Sequence, residues 1–177
     1  MKMLKKFLLA LVVGGMALLG CGTKENNAAK TAASNNHAVS ESEKLPDFTL
    51  KTLAGGEINL RQLEGQKVVV VNFWATWCGP CRNEIPDFND VYSRYRDRGV
   101  EFLGIAVDES PETVVPEFLE KIPIAYPVLL GSQDLIYRYG VRGLPTTFII
   151  DRSGRIAKRL VGMTFANTLE NELNKLL

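Results

Sequence analysis

The spacing of apolar positions changes several times along the chain, and each change predicts an element. An unbroken apolar or glycine run from Phe7 to Gly20 follows Lys2, Lys5 and Lys6. Residues 22–44 are small and polar with a single valine and no aromatic, too little apolar surface to form a core. From Leu45 the pattern becomes that of a folded domain. Phe48–Lys51 and Glu57–Leu60 alternate around Ala54-Gly55-Gly56 and predict a hairpin. Lys67–Trp74 is β-branched with no polar side chain until Asn72, which predicts a strand buried on both faces, and Glu101–Val107 reads as its parallel neighbour. Between them, Cys81, Ile85, Phe88, Tyr92 and Tyr95 recur at helical spacing over a helix from Pro80 to about Arg98. Ser110-Pro111-Glu112 has the form of a helix start, with Pro116 predicting a kink or a late beginning. Residues 134–139 form a short helix closed by Gly140. Thr146–Asp151 and Arg155–Val161 form a strand pair turning at Ser153-Gly154, and an amphipathic helix begins near Ala166. This order predicts an α/β fold with a mixed central sheet, helices on both faces and an added N-terminal hairpin.

The N-terminal run has the charged and apolar regions of an export signal, and its fourteen residues fall short of the about 20 that span a bilayer. It ends in Leu18-Leu19-Gly20-Cys21, which resembles the lipobox of bacterial lipoproteins; the alternatives are an uncleaved anchor and a plain signal with a stray cysteine. Lipidation of Cys21 removes the odd one of three cysteines. The expected organisation is therefore a signal peptide over 1–20, a lipidated cysteine with a flexible tether over 21–44, and one domain over 45–177. The tether would span roughly 25 Å root-mean-square. The domain would sit on a membrane in the cell envelope, facing the periplasm or the exterior. His37, the single histidine, falls in the tether.

Charge adds only exclusions. The 21 basic and 20 acidic residues give a net charge of +1, and removing 1–20 takes three lysines, leaving 18 basic against 20 acidic. No field is present to attract nucleic acid.

The chemistry lies in Trp77-Cys78-Gly79-Pro80-Cys81, between the buried strand and the first helix. The domain offers two cysteines and no histidine, too few ligands for zinc or an iron–sulfur cluster, and Arg82 stands where haem attachment requires histidine. An inert structural disulfide across so short a loop gains little chain-entropy stabilisation. A redox pair remains. Cys78 sits where unpaired N–H groups and the helix dipole favour a thiolate. A thiol of pKa about 8.5 lowered by about 1.5 units would be roughly half ionised at pH 7. Cys78 is then the attacking sulfur and Cys81, one turn further on the apolar face, the resolving one.

Val70–Cys81, together with Gly143-Leu144-Pro145-Thr146-Thr147-Phe148, resembles the thioredoxin fold and more narrowly the TlpA/ResA-like thiol-disulfide oxidoreductases of bacterial envelopes. The resemblance covers essentially all of residues 45–177. It implies a cis Pro145 beside the cysteine pair, a Leu144 backbone that pairs with the substrate chain, Trp77 at the substrate surface, and a kink at Pro86. It also implies that Glu84 exchanges protons with Cys81 and that Glu109 lies near the active site; each acid is otherwise a solvated surface residue. Thioredoxin carries a buried aspartate where this chain has Asn72, which does not titrate, so proton transfer falls to Glu84 or water. The implied activity is reduction of disulfides in exported proteins, such as apocytochrome c during cytochrome c maturation, by a monomer fed by a CcdA- or DsbD-like membrane donor. No cofactor or metal is expected beyond the Cys78–Cys81 disulfide. Two alternatives share the fold. A peroxiredoxin-type peroxidase requires threonine three residues before its cysteine, where Ala75 stands, and a copper chaperone requires a distant histidine that the domain lacks.

Overall fold

The computed structural model describes residues 41–177. The expected signal segment, Cys21, His37 and the tether as far as residue 40 lie outside the described residues.

A hairpin of β1 (Thr49–Lys51) and β2 (Glu57–Asn59) precedes a five-stranded sheet. The sheet is built from β3 (Val68–Trp74), β4 (Val100–Ala106), β5 (Val128–Leu130), β6 (Thr146–Ile150) and β7 (Ile156–Val161), in the order β5-β4-β3-β6-β7. The β3–β4 and β4–β5 pairs are parallel, while β3–β6 and β6–β7 are antiparallel. The helices are α1 (Gly79–Tyr95), α2 (Pro111–Lys121), α3 (Gln133–Arg138) and α4 (Ala166–Asn174).

All seven residues of β3 are buried, which explains its lack of a polar side. Their alternation builds two cores. Val68 and Val70 pack with Phe88, Val91 and Tyr95 of α1 and Leu169 and Leu173 of α4. Val69, Val71 and Phe73 pack on the opposite face with Val115 of α2, Leu135 of α3 and Phe48 near the hairpin. By this alternation Asn72 belongs to the face of Val68 and Val70, the face covered by α1.

Several boundaries differ from the pattern reading. The first helix ends at Tyr95 and tightens into a 3₁₀ turn over Arg96–Arg98, closed by Gly99 in the left-handed conformation at φ 90°. Its buried face is Cys81, Glu84, Ile85, Phe88, Val91 and Tyr95, while Tyr92 is only half-buried. The second helix begins at Pro111 and carries Pro116 within it. Strand β5 was not expected: its three residues between Pro127 and Gly131 are too few to show a period. The tether, expected to reach Lys44, is already paired at its end. Ser42 donates its N–H to Ile156, Ile156 donates to Glu43, and Lys44 bridges Arg155, so polar residues without a core-facing pattern are held at the β7 edge by backbone bonds.

Candidate active site

Strand β3 ends at Trp74, and Ala75-Thr76-Trp77 carries the chain to the first turn of α1. Cys78 is the N-cap of that helix. Its Sγ accepts the Cys81 N–H at 3.3 Å, and its carbonyl accepts from Arg82. A Ser or Asp oxygen commonly does this at helix starts; here sulfur takes the position and feels the same dipole. Pro80 in the first turn costs no hydrogen bond, because its missing N–H would be unpaired there. Cys78 and Cys81 form a disulfide of 2.06 Å with Cα atoms 5.3 Å apart. Cys81 is 1% exposed and Cys78 5%, while Trp77 beside them is 69% exposed.

Leu144–Pro145 is a cis peptide, as the resemblance implied. Thr146 Oγ1 donates to the Gly143 carbonyl at 2.7 Å and Gly162 N–H donates to the Pro145 carbonyl at 2.9 Å, tying this loop to the end of β7. Among the described residues the Leu144 backbone has no hydrogen-bond partner. A pocket lined by Trp77, Gln133, Ile136, Val141, Arg142 and Leu144 opens beside it. Around Gly162, whose N–H reaches Pro145, Val161, Met163 and Phe165 are exposed, while Thr164 is buried.

Glu84, one turn beyond Cys81 on the same buried face, is 2% exposed. Its Oε1 accepts from Asn72 Nδ2 at 2.9 Å and its Oε2 from the Thr164 N–H at 2.9 Å. Asn72 also donates to Thr147 Oγ1 at 3.0 Å. Burial raises the Glu84 pKa from 4.5 to about 7 against the opposing pull of the Thr164 and Asn72 bonds. A carboxyl with its midpoint near neutrality gains and loses a proton at low cost at the pH where a thiol–disulfide exchange runs.

Glu109 is exposed, and among the described residues its side chain has no hydrogen-bond or ion-pair partner. The acid brought to the cysteine loop from the end of β4 is its neighbour Asp108, 4% exposed, which accepts from Thr76 N–H through both oxygens at 3.2 Å and from Thr76 Oγ1 at 2.6 Å. Neither this clamp nor Thr164 follows from the sequence pattern. Parallel pairing sets Trp74 beside Ala106, so the two loops leave the sheet at one end; the Asp-Glu pair after a buried strand was the available signal. Among the described residues no group of three His, Cys, Asp or Glu side chains is arranged to hold a metal ion.

The model of the AhpC/TSA family matches residues 42–159. The chain is 37% identical over 132 residues to the thiol-disulfide oxidoreductase ResA of Bacillus thuringiensis (strain Al Hakam), covering 74% of this chain and 75% of that protein. It is 32% identical over 173 residues to the thioredoxin-like protein YneN of Bacillus subtilis (strain 168), covering 97% and 99%. Among solved structures, a thiol:disulfide interchange protein DsbE from Chlorobium tepidum superposes with a TM-score of 0.71 at 31% identity, over 77% of this chain and 97% of that one. With a helix-capping Cys-x-x-Cys, a cis-proline loop and these relatives, the chain belongs to the AhpC/TSA family and to the TlpA/ResA-like thiol-disulfide oxidoreductases, on a thioredoxin-like fold.

Proposed function

We propose that this thiol-disulfide oxidoreductase is a lipid-anchored disulfide reductase of the cell envelope, acting on exported proteins. The observation that carries the reading is the position of Cys78 Sγ at the helix N-cap, with the Cys81 N–H directed at it. In the reduced protein that position stabilises a Cys78 thiolate. The thiolate attacks one sulfur of a substrate disulfide; a Cys78–substrate bond forms and the other substrate sulfur leaves as thiolate. The Cys81 thiol then passes its proton to Glu84 and attacks Cys78 Sγ, forming the Cys78–Cys81 disulfide and releasing the second substrate sulfur. Two electrons pass to the substrate, and its thiolates take protons from solvent and from Glu84. Leu144, with its backbone free, pairs with the extended substrate chain, and Trp77 covers the approach.

An oxidising compartment requires electrons from across the membrane, which suits an integral dithiol donor of the CcdA or DsbD kind, and apocytochrome c is the substrate the resemblance favours. The export-signal pattern and Cys21 support the anchor. No helix among the described residues is long and apolar enough to cross a membrane. A peroxidase reading finds little support, because Ala75 supplies only its carbonyl to the Cys78 N–H and the nearby Thr76 hydroxyl is turned to Asp108. Equilibration of the protein with a thiol buffer of known poise tests the direction. A potential more negative than about −230 mV fits a reductase, and one above about −180 mV marks an oxidant or isomerase and overturns the reading.

A further inference from the structure

Arg142 stands between α3 and the cis-proline loop. It is exposed, and among the described residues its guanidinium has no hydrogen-bond acceptor and no acid. The charged group that acts on it has the same sign. Arg159 of β7 donates from Nη2 to the Gly140 carbonyl, its guanidinium lies 5.3 Å from the Phe148 ring centroid, and its Nε is buried without a partner. Burial, and then the Arg142 charge, push the Arg159 pKa below the ordinary arginine value. The carbonyl beyond the end of α3 and the aromatic ring account for Arg159. No contact in the fold accounts for Arg142, and two like charges set together without an acid work against folding.

The surroundings of Arg142 suit a substrate side chain. Among the described residues it supplies the one charged group lining the pocket beside Leu144. Trp77, Ile136, Val141 and Leu144 give that pocket apolar walls, and its volume of about 220 Å³ takes a single side chain rather than a whole small molecule. Trp77 adjoins Cys78 and Leu144 adjoins Pro145. A side chain entering here therefore belongs to a residue within about two positions of the attacked cysteine, at about 3.3 Å per extended residue. Arg82, also unpaired, lines a different groove in which Glu117 already supplies an acid. The far flank of the cysteine loop carries the opposite charge: β4 and β6 are the two neighbours of β3, and exposed Glu109 follows β4 while Arg142 precedes β6. Overall charge favours no acidic partner, since without residues 1–20 the chain has 18 basic and 20 acidic residues.

We propose that Arg142 and the pocket it edges form a subsite for a glutamate or aspartate close to the reacting cysteine of the substrate, which makes Arg142 a specificity-determining residue. The proposal rests on the reading of Cys78 as the attacking sulfur and of the cis-proline loop as the substrate surface. The apolar walls take the methylene stem, and the guanidinium fork meets the carboxylate with two parallel N–H···O bonds. Because Glu109 flanks the other side of the loop, the preference for an acid holds on one side of the substrate cysteine only.

The test uses the Cys81→Ser protein and short peptides whose single cysteine is held as a mixed disulfide with neutral thiopyridine. The Cys78 thiolate attacks the peptide sulfur, the Cys78–peptide bond forms, and thiopyridine leaves and is followed by its absorbance. Glutamate and glutamine are compared at each of the two positions on either side of the cysteine. On one side the glutamate peptide is expected to react about five-fold faster than its glutamine twin, the size of a well-formed exposed ion pair, with the gain shrinking as salt is added. Adding Arg142→Gln is expected to bring that ratio to about one. The ratio is taken within each protein, so a general change in Cys78 reactivity cancels. A ratio near one at every position overturns the proposal, as does an equal gain on both sides of the cysteine or a gain that survives Arg142→Gln. Failure of the underlying reading looks different: no peptide then releases thiopyridine, whatever its charge.

Discussion

Glu84→Gln should change how stability depends on pH, by an amount that the burial of one carboxyl sets. In the folded protein burial raises the Glu84 pKa from 4.5 to about 7. The folded state therefore binds a proton more tightly than the unfolded chain, and the associated stability is complete below about 4.5 and lost as pH rises through about 7. At about 1.4 kcal/mol per pH unit the loss amounts to about 3 kcal/mol. Glutamine carries no such linkage. Its amide does face two donors, Asn72 Nδ2 and the Thr164 N–H, so the variant also loses about one hydrogen bond, but that cost is the same at every pH. The informative quantity is the difference between the two pH profiles. Urea unfolding of the oxidised protein and of Glu84→Gln at intervals from pH 4 to 8.5 measures it, with the disulfide keeping the cysteines out of the titration. Relative to the variant, the unaltered protein should lose about 3 kcal/mol between the ends of that range. Two parallel profiles would refute the claim that Glu84 is a buried acid with its midpoint near neutrality.

Two further substitutions probe how the site is held. Asp108→Ala leaves the Thr76 N–H and hydroxyl without their acceptor and should cost about 2–3 kcal/mol in urea unfolding, with Asp108→Asn losing about half of that; it should also change the alkylation rate of Cys78, two residues beyond Thr76. Gly131→Ala would place a Cβ 2.6 Å from Ile105 Cγ2 and 2.8 Å from the Ala106 carbonyl oxygen, so a loss of about 1–3 kcal/mol is expected as a Tm lowered by roughly 2–4 °C per kcal/mol, whereas Gly143→Ala, with open space around its Cβ, should leave Tm nearly unchanged.

What the sequence made legible were the features written in local spacing. The unbroken Val68–Val71 run announced a strand covered on both faces, and the cysteine motif ahead of an apolar helical stripe announced both the N-cap and the burial of Cys81. Glu84 was legible because three residues place it over Cys81 on a helix. The apolar neighbours explain why it tolerates burial: Ile85, Phe88 and Val91 each contribute about 1.5–3 kcal/mol when buried, more together than the carboxyl costs. The cis peptide at Pro145 came from the family resemblance and not from periodicity. Contacts made by chain reversal stayed hidden. Thr164 lies 80 residues from Glu84 and meets it only because β7 and α4 bring their connecting loop over α1. Asn72 looked like the replacement of a titrating residue; with its partners visible it is the donor that holds the residue that does titrate. Asp108, not Glu109, reaches the cysteine loop, since successive residues leaving a strand point to opposite sides.

The division of labour between the two sulfurs has the most direct test. The reduced single-cysteine variants Cys78→Ser and Cys81→Ser are each offered a disulfide-linked peptide, and mixed disulfides are resolved by mass spectrometry. With Cys78 at the helix cap and Cys81 buried behind it, Cys81→Ser should accumulate a stable one-to-one adduct at Cys78, and Cys78→Ser should form little or none. Faster or equal capture by Cys81 in the Cys78→Ser protein would contradict the assignment.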